Sequence, residues 1–125
     1  MSITEQGRDG EKQARLFLKR MGCSNIFPAD CLIKLNSGWY VVEVKKKEKF
    51  KPPPFWGHGL DVRQIKARLG FYKETGIRCL FLVFDVEGEI YWQWLDVLES
   101  GQKFTTRNTI RIYPLENFHR IDLFW

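Results

Sequence analysis

The sequence predicts an α/β protein of one domain spanning residues 1–125, with a mixed sheet sandwiched by helices. Three observations lead there. A chain of 125 residues, 44% hydrophobic and 28% charged, can bury about two-thirds of its unfolded surface and has no room for a second domain. Its periodicities follow the order helix, hairpin, helix, strand, strand. The run CLFLVF, 79–84, is apolar throughout, as a strand covered on both faces requires.

Ser2 and Glu5 have the spacing of a capping box and Gly22 is placed to stop a helix, so Ile3 to Met21 reads as the first helix. Its inward stripe, Ile3, Gly7, Gly10, Ala14, Phe17, Leu18 and Met21, also takes in Glu11. Next, FPADCLIKL and WYVVEVKKK flank Asn36-Ser37-Gly38, which predicts a hairpin. EKFKPPPFWGHG reads as a loop because proline and glycine interrupt it throughout. From Leu60 to about Glu74, the stripe Val62, Ile65, Leu69 and Tyr72 predicts a second helix ended by Gly76. That helix is placed to cross over and set CLFLVF parallel to the hairpin strand. Asp85 to Glu89 then turns into the strand IYWQWL, and TIRIYPL is expected to form a short edge strand.

No apolar run approaches the roughly 20 residues of a membrane span, and MSITEQGRDGEK lacks the apolar centre of a signal peptide, so a cytoplasmic protein without a membrane partner is expected. Cys23, Cys31 and Cys79 have neither disulfide-framework nor zinc spacing. A net charge of +5 suits a polyanionic partner, though by itself it is a weak signal.

Chemistry enters with VVEVKKK, 41–47. Glu43 and Lys45 are two apart on a strand and so point to the same side. Alone, the pair reads as an ordinary edge-strand ion pair. Two further acids change the balance: Asp30 begins the first hairpin strand, where pairing brings it toward Glu43, and Glu11 looks inward from the first helix. Carboxylates gathered in this way repel one another unless a cation joins them. Oxygen ligands without histidine suit Mg²⁺, with Mn²⁺ able to substitute.

Glu11 on a first helix, Asp30 preceded by a proline, Glu43-Val44-Lys45 on the next strand and a following helix with Gln64 together resemble the PD-(D/E)XK nuclease superfamily. The short length, Gly10-Glu11 and the Val42–Lys45 strand are most similar to its small Holliday-junction resolvases, and also resemble phage and restriction-like nucleases. One departure is that Ala29 separates Pro28 from Asp30; the ligand role is carried to Asp30, with Asp9, Asp61 and Asp85 as poorer alternatives.

The resemblance implies a restriction-endonuclease-like α/β/α sandwich and a metal-dependent DNA endonuclease acting on branched or duplex DNA. Asp30, Glu43 and the Val44 carbonyl would hold one or two Mg²⁺, and Glu11 would complete the site directly or through water. Lys45 would orient the attacking water and stabilise charge on the phosphoryl oxygens. Gln64 reads equally as support for Lys45, as a phosphate contact or as a solvated position.

Lys46, Lys47, Lys49 and Lys51, followed by Phe55, Trp56 and His58, form a basic and aromatic stretch that either follows DNA or merely protects a strand end. Arg68 is a lesser nucleic-acid contact. His58 and His119 have no nucleophile beside them. Trp92, Trp94 and Trp125 read as core or as a dimer anchor, and a symmetric branched substrate makes a homodimer reasonable. The rival readings are a nuclease fold that binds nucleic acid without cutting it, and an RNA-processing nuclease.

Overall fold

The computed structural model describes residues 25–27, 32–36 and 38–121. The expected first helix, Glu11, Asp30, Asp9 and Trp125 lie outside the described residues.

The hairpin forms as β2 (Leu32–Leu35) and β3 (Gly38–Lys47), with a short β1 (Asn25–Phe27) antiparallel to β2. Leu35 pairs with Gly38, so the loop is two residues long rather than three, and Asn36 supplies the positive φ of 57° that such a tight turn requires. β3 then runs parallel to β5 (Arg78–Asp85) through the register Tyr40↔Arg78 to Lys47↔Asp85. β6 (Ile90–Trp94) and β9 (His119–Ile121) complete a mixed six-stranded sheet in the order β1-β2-β3-β5-β6-β9.

Helix α1 (Val62–Thr75) makes the crossover. The Asp61 carboxylate accepts from the Arg63 amide at its start, and Gly76, at φ 77°, donates its amide to the Tyr72 carbonyl at its end. Of the expected apolar stripe Ile65 alone is fully buried, because α1 lies over the sheet with its outer half in water. A second helix, α2 (Leu95–Ser100), begins where a strand was expected to continue: Leu95 and Leu98, three apart, both turn inward.

The largest departure is a second sheet. β4 (Gly57–Asp61) pairs antiparallel with β8 (Ile110–Pro114), which pairs with β7 (Phe104–Thr105). The stretch read as irregular to Leu60 is therefore strand from Gly57 onward, and the strand expected at an edge is the middle one. Glycine is required there for close approach, since a Cβ on Gly57 would stand 2.2 Å from the Tyr113 carbonyl oxygen. Gly57→Ala is expected to cost about 2 to 3 kcal/mol in urea denaturation, because the obstacle is backbone and cannot swing aside. A loss below about 0.5 kcal/mol would contradict that close approach.

Alternation along the strands divides the core. Val41, Phe81, Val83 and Tyr91 face α1, α2 and the small sheet, packing with Leu60, Ile65, Leu95, Leu98, Tyr113 and Phe118. Ile33, Val42, Leu82, Phe84 and Ile90 face the opposite way and are equally buried. On that second face Trp94 lies against Tyr40, with ring centroids 5.2 Å apart, and Trp92 lies against His119 at 4.5 Å. Among the described residues no helix is long and apolar enough to cross a membrane.

Candidate functional site

β3 leaves the core gradually: Val41 and Val42 are buried, while Glu43 to Lys47 are half-buried. Its odd-numbered side chains share the α1 face, so Glu43 and Lys45 point to one side, as expected, and Lys46 points to the other. The Glu43 side chain is 12% exposed, and Arg68 on α1 donates its Nε–H to Oε1 at 3.0 Å. The charge of Lys45 reaches Asp61 and Lys47.

These contacts follow from how helix and strand run. α1 returns antiparallel to β3, and four helical residues advance about 6 Å while two strand residues advance about 6.6 Å. Later residues of the helix therefore meet earlier residues of the strand: Asp61 lies toward Lys45, Arg68 meets Glu43 and Phe71 lies toward Val41. Gln64 is half-buried one turn before Arg68 on the same flank, and its side chain has no hydrogen-bond partner among the described residues.

Asp61 is occupied as a cap. Its carboxyl lies below the ordinary range chiefly because the Arg63 amide donates to it at 2.8 Å. Cys79, cross-strand from Val41, is pushed up to about 12 by burial and then by the Glu43 charge, so it is a packed thiol and not a thiolate ligand or nucleophile.

The basic stretch divides into two kinds of lysine. Lys47 turns inward, donating to the Gly59 carbonyl at 2.7 Å and lying 4.9 Å from the centre of the Phe50 ring. Burial, then Lys45, brings its ammonium down to about 8. Lys49 is also drawn in, with Nζ 2.9 Å from Asp85 Oδ2 and 3.2 Å from Glu87 Oε2. Lys51 and Trp56, by contrast, are exposed on the loop before β4.

His58 does not belong to an exposed loop. It is fully buried in β4, with Nε2 3.0 Å from Asp85 Oδ2, and this burial overturns its expected place beside nucleic acid. Asp85 thus receives His58 from β4, Lys49 from the segment after β3 and the Glu87 amide from its own turn. Burial would raise its carboxyl, but those donors outweigh it and hold the carboxyl below the usual range. This cluster was missed because the partners are 27 and 36 residues from Asp85 in sequence. Arg68 was undervalued, although its spacing of four from Gln64 marked the same helix flank.

Burial pushes His58 down to about 4, with Lys47 and Lys49 acting the same way and Asp85 opposing them. An unfolded histidine titrates near 6.5, so between these values the unfolded chain holds the extra proton and stability falls as pH falls. His58 should contribute its full share above about pH 6.5 and lose on the order of 2 kcal/mol of it by pH 5, measured by urea denaturation. Equal stability at pH 7.5 and pH 5 would contradict its burial as a neutral ring.

Among the described residues no group of three or more His, Cys, Asp or Glu is arranged to hold a metal ion. Glu43 is the one carboxylate of the expected ligand set that the structure describes. Its hard oxygen donors, beside a lysine and without imidazole or thiolate, have the donor chemistry that Mg²⁺ takes.

No protein-family model matches the chain, and no curated protein matches its sequence. Among solved structures, the chain is similar to Hjc of Archaeoglobus fulgidus, a Holliday junction resolvase from an archaeal hyperthermophile, with a TM-score of 0.58 and 13% identity over 85% of this chain and 87% of that one. The likeness establishes the fold: a restriction-endonuclease-like α/β architecture around a central mixed sheet.

Proposed function

We propose that this chain is a metal-dependent endonuclease that hydrolyses phosphodiester bonds in DNA, with branched DNA as its substrate. One observation carries the reading: Glu43 and Lys45 project from the same side of β3, the strand at the antiparallel-to-parallel switch of the sheet, on a fold shared with a junction resolvase.

The proposal assigns each residue a task. Glu43, Asp30 and the Val44 carbonyl, with Glu11, would hold Mg²⁺, or Mn²⁺ in its place. Once bound, the ion would polarise the scissile phosphate and make a water easier to deprotonate. Lys45 orients the attacking water and meets the growing charge on the phosphoryl oxygens. Gln64, one turn before Arg68 on the same flank of α1, supports that ammonium or takes a phosphate oxygen. Arg68 steadies Glu43 and offers a second cation to the phosphate. Lys51 and Trp56, exposed on the loop before β4, extend the contact beyond the strand, and a homodimer would supply the second cut of a symmetric junction.

The test is purified protein with Mg²⁺ or Mn²⁺ and labelled four-way, flapped, linear and single-stranded DNA, with RNA as a further arm. Cleavage of a branched substrate, abolished by EDTA, is the expected result. Failure to cut any substrate with either ion overturns the proposal, and cutting confined to RNA moves it to RNA processing. One observation favours a second reading, a module that binds without cutting: the charge of Glu43 is already compensated by Arg68. Calorimetry separates the two, because Mg²⁺ binding that disappears in Asp30→Asn belongs to the enzyme alone.

A further inference from the structure

Beside the Glu43–Arg68 pair lies a cleft of about 230 Å³ lined by Leu32, Val41, Arg68 and Phe71. Leu32 and Val41 are cross-strand partners and form an aliphatic floor. Phe71 stands three residues after Arg68 on α1 and keeps 40% of its surface exposed, unusually much for a phenyl ring. Arg68 serves both places, since the side chain that lines the cleft also holds Glu43 at 3.0 Å.

These walls select the occupant. An apolar cavity of about 150 Å³ is enough for benzene, so a single heteroaromatic ring system fits here. An aliphatic ligand would match the floor and make no use of the guanidinium beyond its pairing with Glu43. A planar base uses each of the four described side chains, because phenyl rings and guanidinium planes both stack on bases and the protein's charge of +5 favours a ligand attached to phosphates. Val41 is about 6.6 Å from Glu43 along β3, a step of roughly one nucleotide.

We infer that this cleft is a nucleobase subsite, taking the unstacked base of the nucleotide beside the phosphate at Glu43 and stacking it between Phe71 and Arg68. The inference rests on the nuclease reading for the position of that phosphate, and it narrows the substrate to DNA whose bases are already unpaired at the cut. A base in continuous duplex would first have to leave its stack. Flaps and branch points carry no such cost.

The experiment uses the full chain in EDTA, so that nothing is cut, and flapped DNA carrying 2-aminopurine or an abasic residue in turn at each nucleotide flanking the branch. At one position the fluorescence should change on binding, and the abasic residue should weaken binding about 5- to 100-fold. Phe71→Ala should erase that difference and leave affinity for the abasic DNA unchanged. Leu32→Trp, which fills the cleft without removing a ring, should do the same. Equal binding of intact and abasic DNA at every position overturns the inference, as does discrimination that survives both substitutions. Self-association in sedimentation that Phe71→Ala abolishes, with base discrimination intact, gives the cleft to a second copy and also overturns it. Base discrimination without Mg²⁺-dependent cleavage fails the nuclease reading alone, whereas cleavage without discrimination fails the subsite alone.

Discussion

Glu43→Ala is expected to lower Mg²⁺-dependent DNA cleavage by about 10³-fold or more, and Lys45→Ala by about 10²- to 10³-fold. The two losses have different origins. Without Glu43, the one other described carboxylate nearby, Asp61, is occupied as the cap of α1, and Arg68 loses its carboxylate partner. Without Lys45, a cation would still have a ligand while the water and the phosphoryl oxygens lose their positively charged partner. Glu43→Ala should therefore abolish Mg²⁺ binding in calorimetry, and Lys45→Ala should leave it largely intact. Both residues are half-buried at the strand end, so neither variant should unfold, which thermal melts would check. A double variant that still cuts within tenfold of the parent rate removes these residues from the mechanism.

The second large effect is on stability and lies away from the chemistry. Asp85→Ala should destabilise the fold by about 3 kcal/mol and lower Tm by about 10 °C. The loss comes from what the carboxylate leaves behind: a buried His58 whose Nε2 loses its acceptor, and Lys49, whose side chain is 13% exposed. His58 already has its Nδ1 buried without a hydrogen-bond partner among the described residues, so a second unmet nitrogen compounds the cost. Lys49 keeps Glu87 as a partner, which makes the loss smaller than for a buried charge left with none. A fall of less than about 1 kcal/mol in urea denaturation would show that Asp85 does not anchor the junction of β4 and β5.

Much of the fold was legible because it is local. The hairpin, the ends of α1 and the continuous apolar run of β5 each declare themselves within a few residues, and the parallel pairing of β3 with β5 follows from the helix between them. The small sheet was hidden because β4 makes sense only against β8, about fifty residues later. Gly57 and Gly59, which let those backbones approach, look from the sequence like loop residues. The site divides similarly. That Glu43 and Lys45 share a face follows from strand alternation alone. That Arg68 and not Gln64 meets Glu43 depends on how α1 is rotated when Ile65 seats in the core, which no local pattern records. The lysines after Val44 look uniform in sequence, yet Lys47 and Lys49 spend their charge on the Gly59 carbonyl and Asp85.

The inward turn of those two lysines alters how the protein would sense salt. A cation displaces counterions from DNA only where it meets a phosphate, and each such meeting steepens the fall of affinity with salt. Lys47 and Lys49 are committed to partners within the protein, so they release nothing when DNA arrives. The strand end carries a dense basic run in its sequence and a sparser one on its surface. Under the nuclease reading, its grip on DNA would be correspondingly less sensitive to ionic strength than a count of its lysines implies.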